Sequence, residues 1–411
     1  MKRTLAIGLA VLLTTSMVGM AAAAGGTTST IDAESSTTGT TTEAYAGAHV
    51  AFDVEDDAIT NYEVGGDEAF SSIAVQSQSE VDATAGVGAD VALETMTDLV
   101  GAGLALETRT SAGAEVQAES GATLSAHDNE RGTLVVESGG ESQYVQAELG
   151  ANADASDEGD RVRVETEDHE GVFLVVGDGE VTVTEEGDVS AALEENATLA
   201  YRSYEDGERD EDAKYEESLI AEGSAAAEVY VEERDGETAE SAVTYGEGTS
   251  AEVSGEARNG VEVTVDRTVD EGTVVLTTVS EEAVGSLEDV AVAVDGEAAV
   301  EAESESELES AIEGGDTPRY MVAQEATAQG EATIYVAITH FSERTATISG
   351  DGDGEDDAGG DEAADDDTGG NDADDSDTET AEDGGTDGLP GFGGGVAAVA
   401  LLLAVAARVY E

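Results

Sequence analysis

His169 and Glu170 are the residues that most resemble part of a catalytic motif, because they are adjacent in the chain. A zinc protease motif, H-E-x-x-H, would continue with a second histidine, which this sequence lacks. The sequence also lacks a G-x-S-x-G nucleophile elbow and the Gly-Lys pair of a phosphate-binding loop. It has no cysteine, which excludes disulfides and thiolate metal sites. The sequence therefore predicts no catalytic residues and no enzyme activity.

The remaining metal ligands are four histidines and a large excess of carboxylates. His49, His127, His169 and His340 are far apart in the sequence, so they would form a metal site only if the fold brought them together. His340 ends an apolar strand pattern and is interpreted as structural. The carboxylates are so numerous that spacing alone cannot assign any pair a glycosidase role.

One acidic segment resembles a calcium-binding loop. Asp351, Asp353 and Glu362 match the first, third and twelfth positions of an EF-hand loop, but Asp356 occupies the sixth position, where glycine is needed. Flanking helices are not evident in the sequence either. We therefore expect no specific metal or cofactor site, and only weak, diffuse condensation of cations on this segment.

The charge of the chain is extreme. It has 95 Asp and Glu against 15 Lys and Arg, a net charge of −80, and only two lysines, Lys2 and Lys214. These carboxylates would repel one another in dilute buffer, whereas molar salt shortens the Debye length to about 3 Å and screens the repulsion. The composition is typical of a protein adapted to near-saturated brine, and it argues against nucleic acid as a partner.

Both ends of the chain carry targeting patterns. Residues 1–24 have Lys2 and Arg3, an apolar stretch and then small residues, which predicts a signal peptide cleaved near Ala24. From Leu389 to Ala407 the chain has no charge, and as a helix this run would extend roughly 28 Å, about the thickness of a bilayer core. A buried core helix is the alternative interpretation of this run.

Composition divides the rest of the chain. Residues 25–44 form a Ser/Thr-rich linker, and residues 351–388 form an acidic segment without a basic or large apolar residue. Such a segment cannot bury enough surface to offset its conformational entropy, so we expect a disordered stalk. The residues between these two segments have the apolar patterns expected of a folded region.

The middle region has the period-two alternation of half-buried strands, as at Val162 and Val164 and at Val261, Val263 and Val265. We expect a mainly β protein with two or three β-sandwich-like domains, at 45–155, 156–281 and 282–350, and minor helix. Hairpins are predicted around Gly177–Gly179, Asp295–Gly296 and Gly330. Helices are predicted over Val91–Leu106 and, from a capping box at Ser304 and Glu307, over 304–314.

A faint repeat runs through the same region. The segments from Asp128 and Glu167 share a charged turn, an apolar strand, a Gly-rich turn and a second strand. Duplicated β modules would produce this pattern, and so would a series of hairpins with glycine turns.

The C-terminal run is preceded by Pro390, Gly391 and Phe392. With the signal peptide, acidic stalk and apolar run, this tripeptide resembles the PGF-CTERM sorting signal of haloarchaeal surface proteins, a group that includes the S-layer glycoprotein. The resemblance covers the segment 389–411 and implies that an archaeosortase removes the helix and that the new end is joined to a lipid. These signals usually end in several arginines, whereas here Arg408 is followed by three other residues. The physical alternative is that the helix stays and spans the membrane.

The sequence as a whole predicts an exported, membrane-anchored cell-surface protein of a halophilic archaeon. We expect a structural or S-layer-associated envelope component without catalytic activity, with a processing enzyme, the membrane and other envelope proteins as partners. Asn196, in the sequon Asn196-Ala197-Thr198, is a candidate N-glycosylation site. An anchored binding module for a solute, glycan or neighbouring cell is the alternative function, and an exoenzyme is a third.

Overall fold

The computed structural model describes residues 43–85, 92–205, 208–234, 237–246, 248–254, 260–287, 290–324, 330–340 and 343–350. These residues fold mainly as β-strands, so the prediction of a mainly β protein with sandwich-like domains and minor helix is confirmed. The strands form two sandwiches, each built from two sheets packed face to face.

The first sandwich packs a seven-stranded sheet A, in the order β1-β2-β3-β4-β9-β14-β13, on an eight-stranded sheet B, in the order β10-β11-β12-β15-β8-β7-β6-β5. Its strands are β1 (Glu43–Ala46), β2 (Val50–Val54), β3 (Ile59–Val64), β4 (Asp67–Ser77), β5 (Leu104–Arg109), β6 (Gly113–Ala118), β7 (Thr123–His127), β8 (Leu134–Glu137), β9 (Gln143–Leu149), β10 (Asp154–Asp157), β11 (Arg161–Glu165), β12 (His169–Val176), β13 (Gly179–Val183), β14 (Val189–Leu193) and β15 (Thr198–Glu205). Alternate residues point inward, and Val162 and Val164 of β11 are buried as predicted. Aromatic rings from both sheets, including Tyr62, Phe70 and Tyr201, pack together in the core.

The second sandwich packs a six-stranded sheet C, in the order β17-β16-β20-β25-β24-β23, on a five-stranded sheet D, in the order β18-β19-β26-β21-β22. Its strands are β16 (Ala225–Arg234), β17 (Glu237–Thr244), β18 (Thr249–Ser254), β19 (Gly260–Arg267), β20 (Thr273–Ser280), β21 (Ala291–Val294), β22 (Glu297–Ala298), β23 (Val300–Glu301), β24 (Arg319–Gln324), β25 (Glu331–Ile338) and β26 (Arg344–Ser349). Most neighbouring strands are antiparallel, but β16 runs parallel to β20, and β23 runs parallel to β24. The inward-facing valines of β19 are fully buried between the sheets.

Four α-helices and a short 3-10 turn at Leu93–Thr95 occur in the described residues. The helices are α1 (Gln78–Ala85), α2 (Glu211–Ala221), α3 (Glu281–Val284) and α4 (Glu305–Ile312). Among the described residues, no helix is both long enough and apolar enough to cross a bilayer.

A third core joins the two sandwiches. It contains Leu174 and Tyr204 from the outer face of sheet B, Leu276 from the outer face of sheet C, Ile220 of α2 and Leu308 of α4, all almost fully buried. Both sandwiches belong to one compact unit of the chain. Each sandwich therefore buries one sheet on both faces, which explains why β15 is buried along nearly its whole length.

The strands divide into two sandwiches rather than at the three predicted segments 45–155, 156–281 and 282–350. β9 pairs with β14, and β15 lies between β8 and β12, so pairing crosses the predicted boundary at 155. The second sandwich begins at Ala225 and takes strands from both sides of residue 281. Composition along the chain cannot indicate which distant strands pair with one another.

Two local predictions are wrong. The described part of Val91–Leu106 contains only the 3-10 turn and the start of β5, because the backbone N–H groups of Ala102 and Leu104 donate to the carbonyls of Val75 and Asp56 instead of along a helix. The predicted hairpin at Gly177–Gly179 is instead a corner, since β12 belongs to sheet B and β13 to sheet A. The repeat partner from Asp128 makes the same crossing, from β8 in sheet B to β9 in sheet A.

Other local predictions are confirmed. Asp295 and Gly296, both with positive φ, join the antiparallel strands β21 and β22. β24 and β25 pair on either side of Gly330, although residues 325–329 lie outside the described part. Helix α4 begins after Ser304 as predicted, but the capping box does not form: the Ser304 side chain makes no capping hydrogen bond, and Glu307 accepts from the backbone N–H of Glu303 instead.

Candidate functional site

The outer face of sheet C presents polar side chains in rows across three neighbouring strands, β16, β20 and β25. Directly paired residues on adjacent strands point to the same face of a sheet. The rows run toward the C-terminal end of β16. The first is Glu228–Leu276–Tyr335, the second is Tyr230–Thr278–Thr333, and the third is Glu232–Ser280–Glu331. This face packs against sheet B, so the rows place an increasingly polar surface between the two sandwiches.

Arg202, on β15 of sheet B, is fully buried against the first of these rows. Its guanidinium donates to the carboxylates of Glu216 on α2 (Nη2–Oε2, 2.8 Å) and Glu228 on β16 (Nη2–Oε1, 2.6 Å). It also donates to the Tyr204 hydroxyl at 2.8 Å. One cation thus connects the first sandwich, the helix between the sandwiches and the second sandwich.

Tyrosine hydroxyls complete this buried network. Tyr230 and Tyr245 donate to Glu228, and Tyr335 donates to Glu216. Burial opposes ionisation of Glu228, but Arg202 and the two hydroxyls outweigh it and lower its pKa. Glu216 has fewer compensating partners, and burial raises its pKa. The network therefore holds one firmly ionised carboxylate beside a second that ionises less readily.

A second ion cluster fixes α2 on the edge of sheet B. Arg209 makes a bidentate pair with the buried Glu217 of α2 (2.7 and 2.8 Å) and also donates to Glu170 of β12. Arg161 and Arg163 of β11 donate to Glu217 and Glu170 respectively. Burial is the largest single influence on the pKa of Glu217 and raises it. The arginine partners together outweigh burial, so the pKa of Glu217 is lowered overall.

Beyond these networks the space between the sandwiches opens into a cleft of about 320 Å³. The cleft is lined by His49, Val64, Gly65, Glu130, Arg131, His169, Glu205, Glu208, Asp210, Tyr230, Thr278, Glu331 and Thr333. Most of these side chains are charged or polar, so the cleft suits a small polar ligand or an ion better than an apolar molecule.

Two turns of the first sandwich place charged groups in the cleft. The buried Asp128 carboxylate accepts hydrogen bonds from the backbone N–H groups of Ala48, His49 and Val50, at 2.7–2.8 Å, and so fixes the turn that carries His49. The next turn presents Glu130 and Arg131, and the Arg131 guanidinium lies 4.6 Å from the centroid of the Tyr204 ring.

Glu130 and Glu331 line the cleft, and the buried Glu232 lies beside them; we call the three the glutamate cluster. One carboxylate oxygen from each lies within 4.8 Å of those from the other two. His49 Nε2 lies 3.7 Å from Glu232 Oε2. Burial, followed by repulsion from Glu130 and Glu232, raises the pKa of Glu331 to about 7. Partial burial, followed by repulsion from Glu232, also raises the pKa of Glu130, although its side chain stays accessible to solvent.

Two of the four histidines line the cleft, and two lie elsewhere in the fold. His49 and His169 both line the cleft, and His169 Nδ1 lies 3.1 Å from Asp67 Oδ2. His127 is on β7, where burial lowers its pKa to about 4. His340, interpreted from sequence as structural, is exposed just after β25, and its carbonyl accepts a hydrogen bond from Arg344.

The other predicted site residues fall on different parts of the chain. Asn196 is exposed, with φ of 65°, on the turn between β14 and β15, where a glycan would be accessible. Pro390, Gly391 and Phe392 lie outside the described residues, as do Asp351, Asp353 and Glu362 of the EF-hand-like segment.

The glutamate cluster was missed in the sequence because nothing marks its members. They come from three distant segments and are three of 95 acidic residues. The alternation that reveals a strand does not show which strand lies beside it. Only the pairing of β16, β20 and β25, and the packing of sheet B on sheet C, bring them together.

A comparison with models of protein families finds no match to this chain, and a comparison with curated proteins finds none either.

Proposed function

We propose that this chain is an exported, membrane-anchored cell-surface protein of a halophilic archaeon and serves as a non-catalytic structural or S-layer-associated component of the envelope. The observation that supports this most is the third core, which joins the two sandwiches into one compact unit. A hinged pair of domains would keep a thin polar contact. Here α2, α4 and the Arg202 network fill the contact instead, as suits a rigid element of a surface layer.

Electrostatics supports the same proposal. The net charge of −80 suits molar salt, in which surface carboxylates are screened. Two of the few arginines, Arg202 and Arg209, are almost fully buried at the contact between the sandwiches and so do not offset the surface carboxylates. The outer surface therefore keeps an excess of carboxylates, as expected for a protein facing brine.

Imaging of the native envelope tests the structural role. Envelopes isolated from the source cells, with this chain labelled at its exposed Asn196 turn, should show the label in a regular array by electron cryotomography. Envelopes from cells lacking the chain are the control and should show a disrupted or absent array at those positions. Label scattered without order on an unchanged layer would contradict the proposal.

The proposed anchor can be tested separately. An archaeosortase-type enzyme would act at Pro390–Phe392, so the mature chain should lack the residues that follow and should carry lipid. Replacing Pro390, Gly391 and Phe392 by alanine should leave an unprocessed chain, measured by intact mass. Alanine at Gly393, Gly394 and Gly395 is the matched control and should leave processing unchanged. A native peptide ending in Tyr410-Glu411 would instead identify a retained transmembrane helix.

An anchored binding module is the second candidate, and the cleft is the observation that favours it. Arg131 and the glutamate cluster would offer opposite charges to a small zwitterionic or cationic solute. A thermal-shift screen of such solutes in molar KCl tests this function. A saturable rise in melting temperature that Glu130→Gln weakens would support a binding function. If no solute raises the melting temperature, the binding function is contradicted.

A further inference from the structure

The glutamate cluster combines ligands from both sandwiches. Glu130 comes from the turn after β7 in the first sandwich, whereas Glu232 and Glu331 come from β16 and β25 in the second. Anything that binds all three carboxylates therefore bridges the contact between the sandwiches. The proposed envelope function does not require such a ligand.

The geometry of the cluster suits a particular ion. Ca²⁺ accepts about six to eight oxygen ligands in a flexible geometry, whereas Mg²⁺ demands a near-ideal octahedron and keeps several waters, so ligands from two separate sandwiches suit Ca²⁺ better. The three carboxylate oxygens lie within 4.8 Å of one another, so they fit around an ion of calcium size without moving far. Carboxylate oxygens are also the ligands that hard divalent cations prefer.

A buried hydroxyl gives a second, independent indication of a ligand. Ser280 is 4% exposed, and within the described part of the chain its Oγ makes no hydrogen bond. Ser280 pairs directly with Glu331, and Val279 pairs with Val231, so Ser280 lies in the row between Glu232 and Glu331. A buried hydroxyl left without a partner is unfavourable, because it has lost its hydrogen bonds to water. An ion or its bound water between the two glutamates would satisfy it.

The neighbouring charges do not neutralise the cluster. Thr278 and Thr333, in the next row, are neutral and 3.4 Å apart at their hydroxyls. His49 approaches Glu232 from the first sandwich, and Arg131 lies beside Glu130 in sequence. These are two cationic or partly cationic groups beside three adjacent carboxyl groups, so they do not offset the charge of the cluster.

We propose that Glu130, Glu232 and Glu331, with Ser280 between the last two, bind a single Ca²⁺ ion that clamps the two sandwiches together. The ion relieves the repulsion among the three carboxylates and gives the Ser280 hydroxyl a partner. Its binding energy is then added to the stability of the contact between the sandwiches.

Calcium binding to the full chain tests this proposal. The protein is stripped with EGTA and titrated with Ca²⁺ in ~3 M KCl, which suppresses diffuse binding to the other carboxylates. Equilibrium dialysis with radioactive calcium should give one saturable site, and the melting temperature should rise with its occupancy. Mg²⁺ at the same concentrations should stabilise less.

The variant Glu232→Gln with Glu331→Gln should lose at least ~tenfold in calcium affinity and most of the rise in melting temperature. Its matched control is Glu180→Gln with Glu186→Gln, which removes the same charge from exposed positions and should bind as the wild type does. Glu130→Gln changes an exposed side chain and should also weaken binding, so the test holds even if the double variant misfolds. Equal binding by wild type and Glu130→Gln, or equal stabilisation by Mg²⁺, would overturn the proposal.

Discussion

Arg202 connects the two sandwiches through a buried ion network. Its side chain is fully buried and is the shared partner of Glu216 and Glu228. Removing one member of a buried ion network leaves uncompensated charge, which commonly costs about 3–5 kcal/mol. The hydroxyls of Tyr230 and Tyr245 still donate to Glu228, but they cannot neutralise it.

We predict that Arg202→Met destabilises the protein by about 3–5 kcal/mol, measured by chemical unfolding in molar KCl. Adding Glu216→Gln and Glu228→Gln to this variant should recover part of the loss, because no unpaired carboxylate then remains. Arg344→Met is the control, since its pair with Asp295 is exposed, and it should cost under ~1 kcal/mol. A small loss for Arg202→Met would mean that the network contributes little to the contact.

Glu331 should make stability depend on pH. Its pKa in the folded protein, about 7, lies above the ordinary value of 4.5, so the folded state holds this proton more tightly than the unfolded state. The stabilising effect of that proton is complete below about pH 4.5 and is lost as the pH rises through 7. His127 acts oppositely: its pKa of about 4 lies below 6.5, so its contribution is lost as the pH falls through that range.

Comparing the wild type with Glu331→Gln separates the contribution of Glu331 to the pH dependence of stability from that of His127. Glutamine resembles the protonated carboxyl, so in EGTA the variant should match the wild type near pH 5 and be more stable near pH 8. The difference should be on the order of 1 kcal/mol, reduced by salt. Melting curves by circular dichroism measure it. A stability difference that stays constant between these pH values would contradict the raised pKa.

At the scale of elements, the sequence predicted which residues are buried but not which strands are partners. Alternating valines correctly indicated β11 and β19, because a half-buried strand hides every second side chain. The same pattern around Gly177 predicted a hairpin, yet β12 and β13 lie in different sheets. Apolar alternation is identical in the two cases, so only long-range pairing distinguishes a hairpin from a corner. The glutamate cluster depends on that same pairing and was unpredictable for the same reason.

Helix α2 was also missed in the sequence, because its buried face includes Glu216 and Glu217 and so lacks an apolar stripe. Its N-cap is visible in the structure: the Asp210 carboxylate accepts a hydrogen bond from the backbone N–H of Ala213 at 3.0 Å. Asp210→Ala should therefore destabilise the protein by about 1 kcal/mol in thermal unfolding. Asp210→Asn keeps a capping oxygen and should cost less. Equal losses in both variants would assign the effect to the charge rather than to the cap.

The whole molecule combines a surface rich in carboxylates with an interior that holds many of its arginines. Five of the 15 basic residues, namely Arg131, Arg161, Arg163, Arg202 and Arg209, have side chains at most 28% exposed near the contact between the sandwiches. Charges buried in this way are screened little by salt, whereas the exposed carboxylates are screened strongly. Lowering the salt concentration therefore strengthens surface repulsion and leaves the inner network nearly unchanged.

We predict that the protein loses its β structure as KCl falls below about 1 M, because repulsion among carboxylates then opposes the compact state. The third core couples the sandwiches, so far-UV circular dichroism and tyrosine fluorescence should report one shared transition. Sucrose at matched osmolality, which favours compact states but does not screen charge, should restore less of the fold than KCl does. An unchanged melting temperature down to about 0.1 M KCl would contradict adaptation to brine, and two separate transitions would mean that the Arg202 network and the core around it do not hold the sandwiches together.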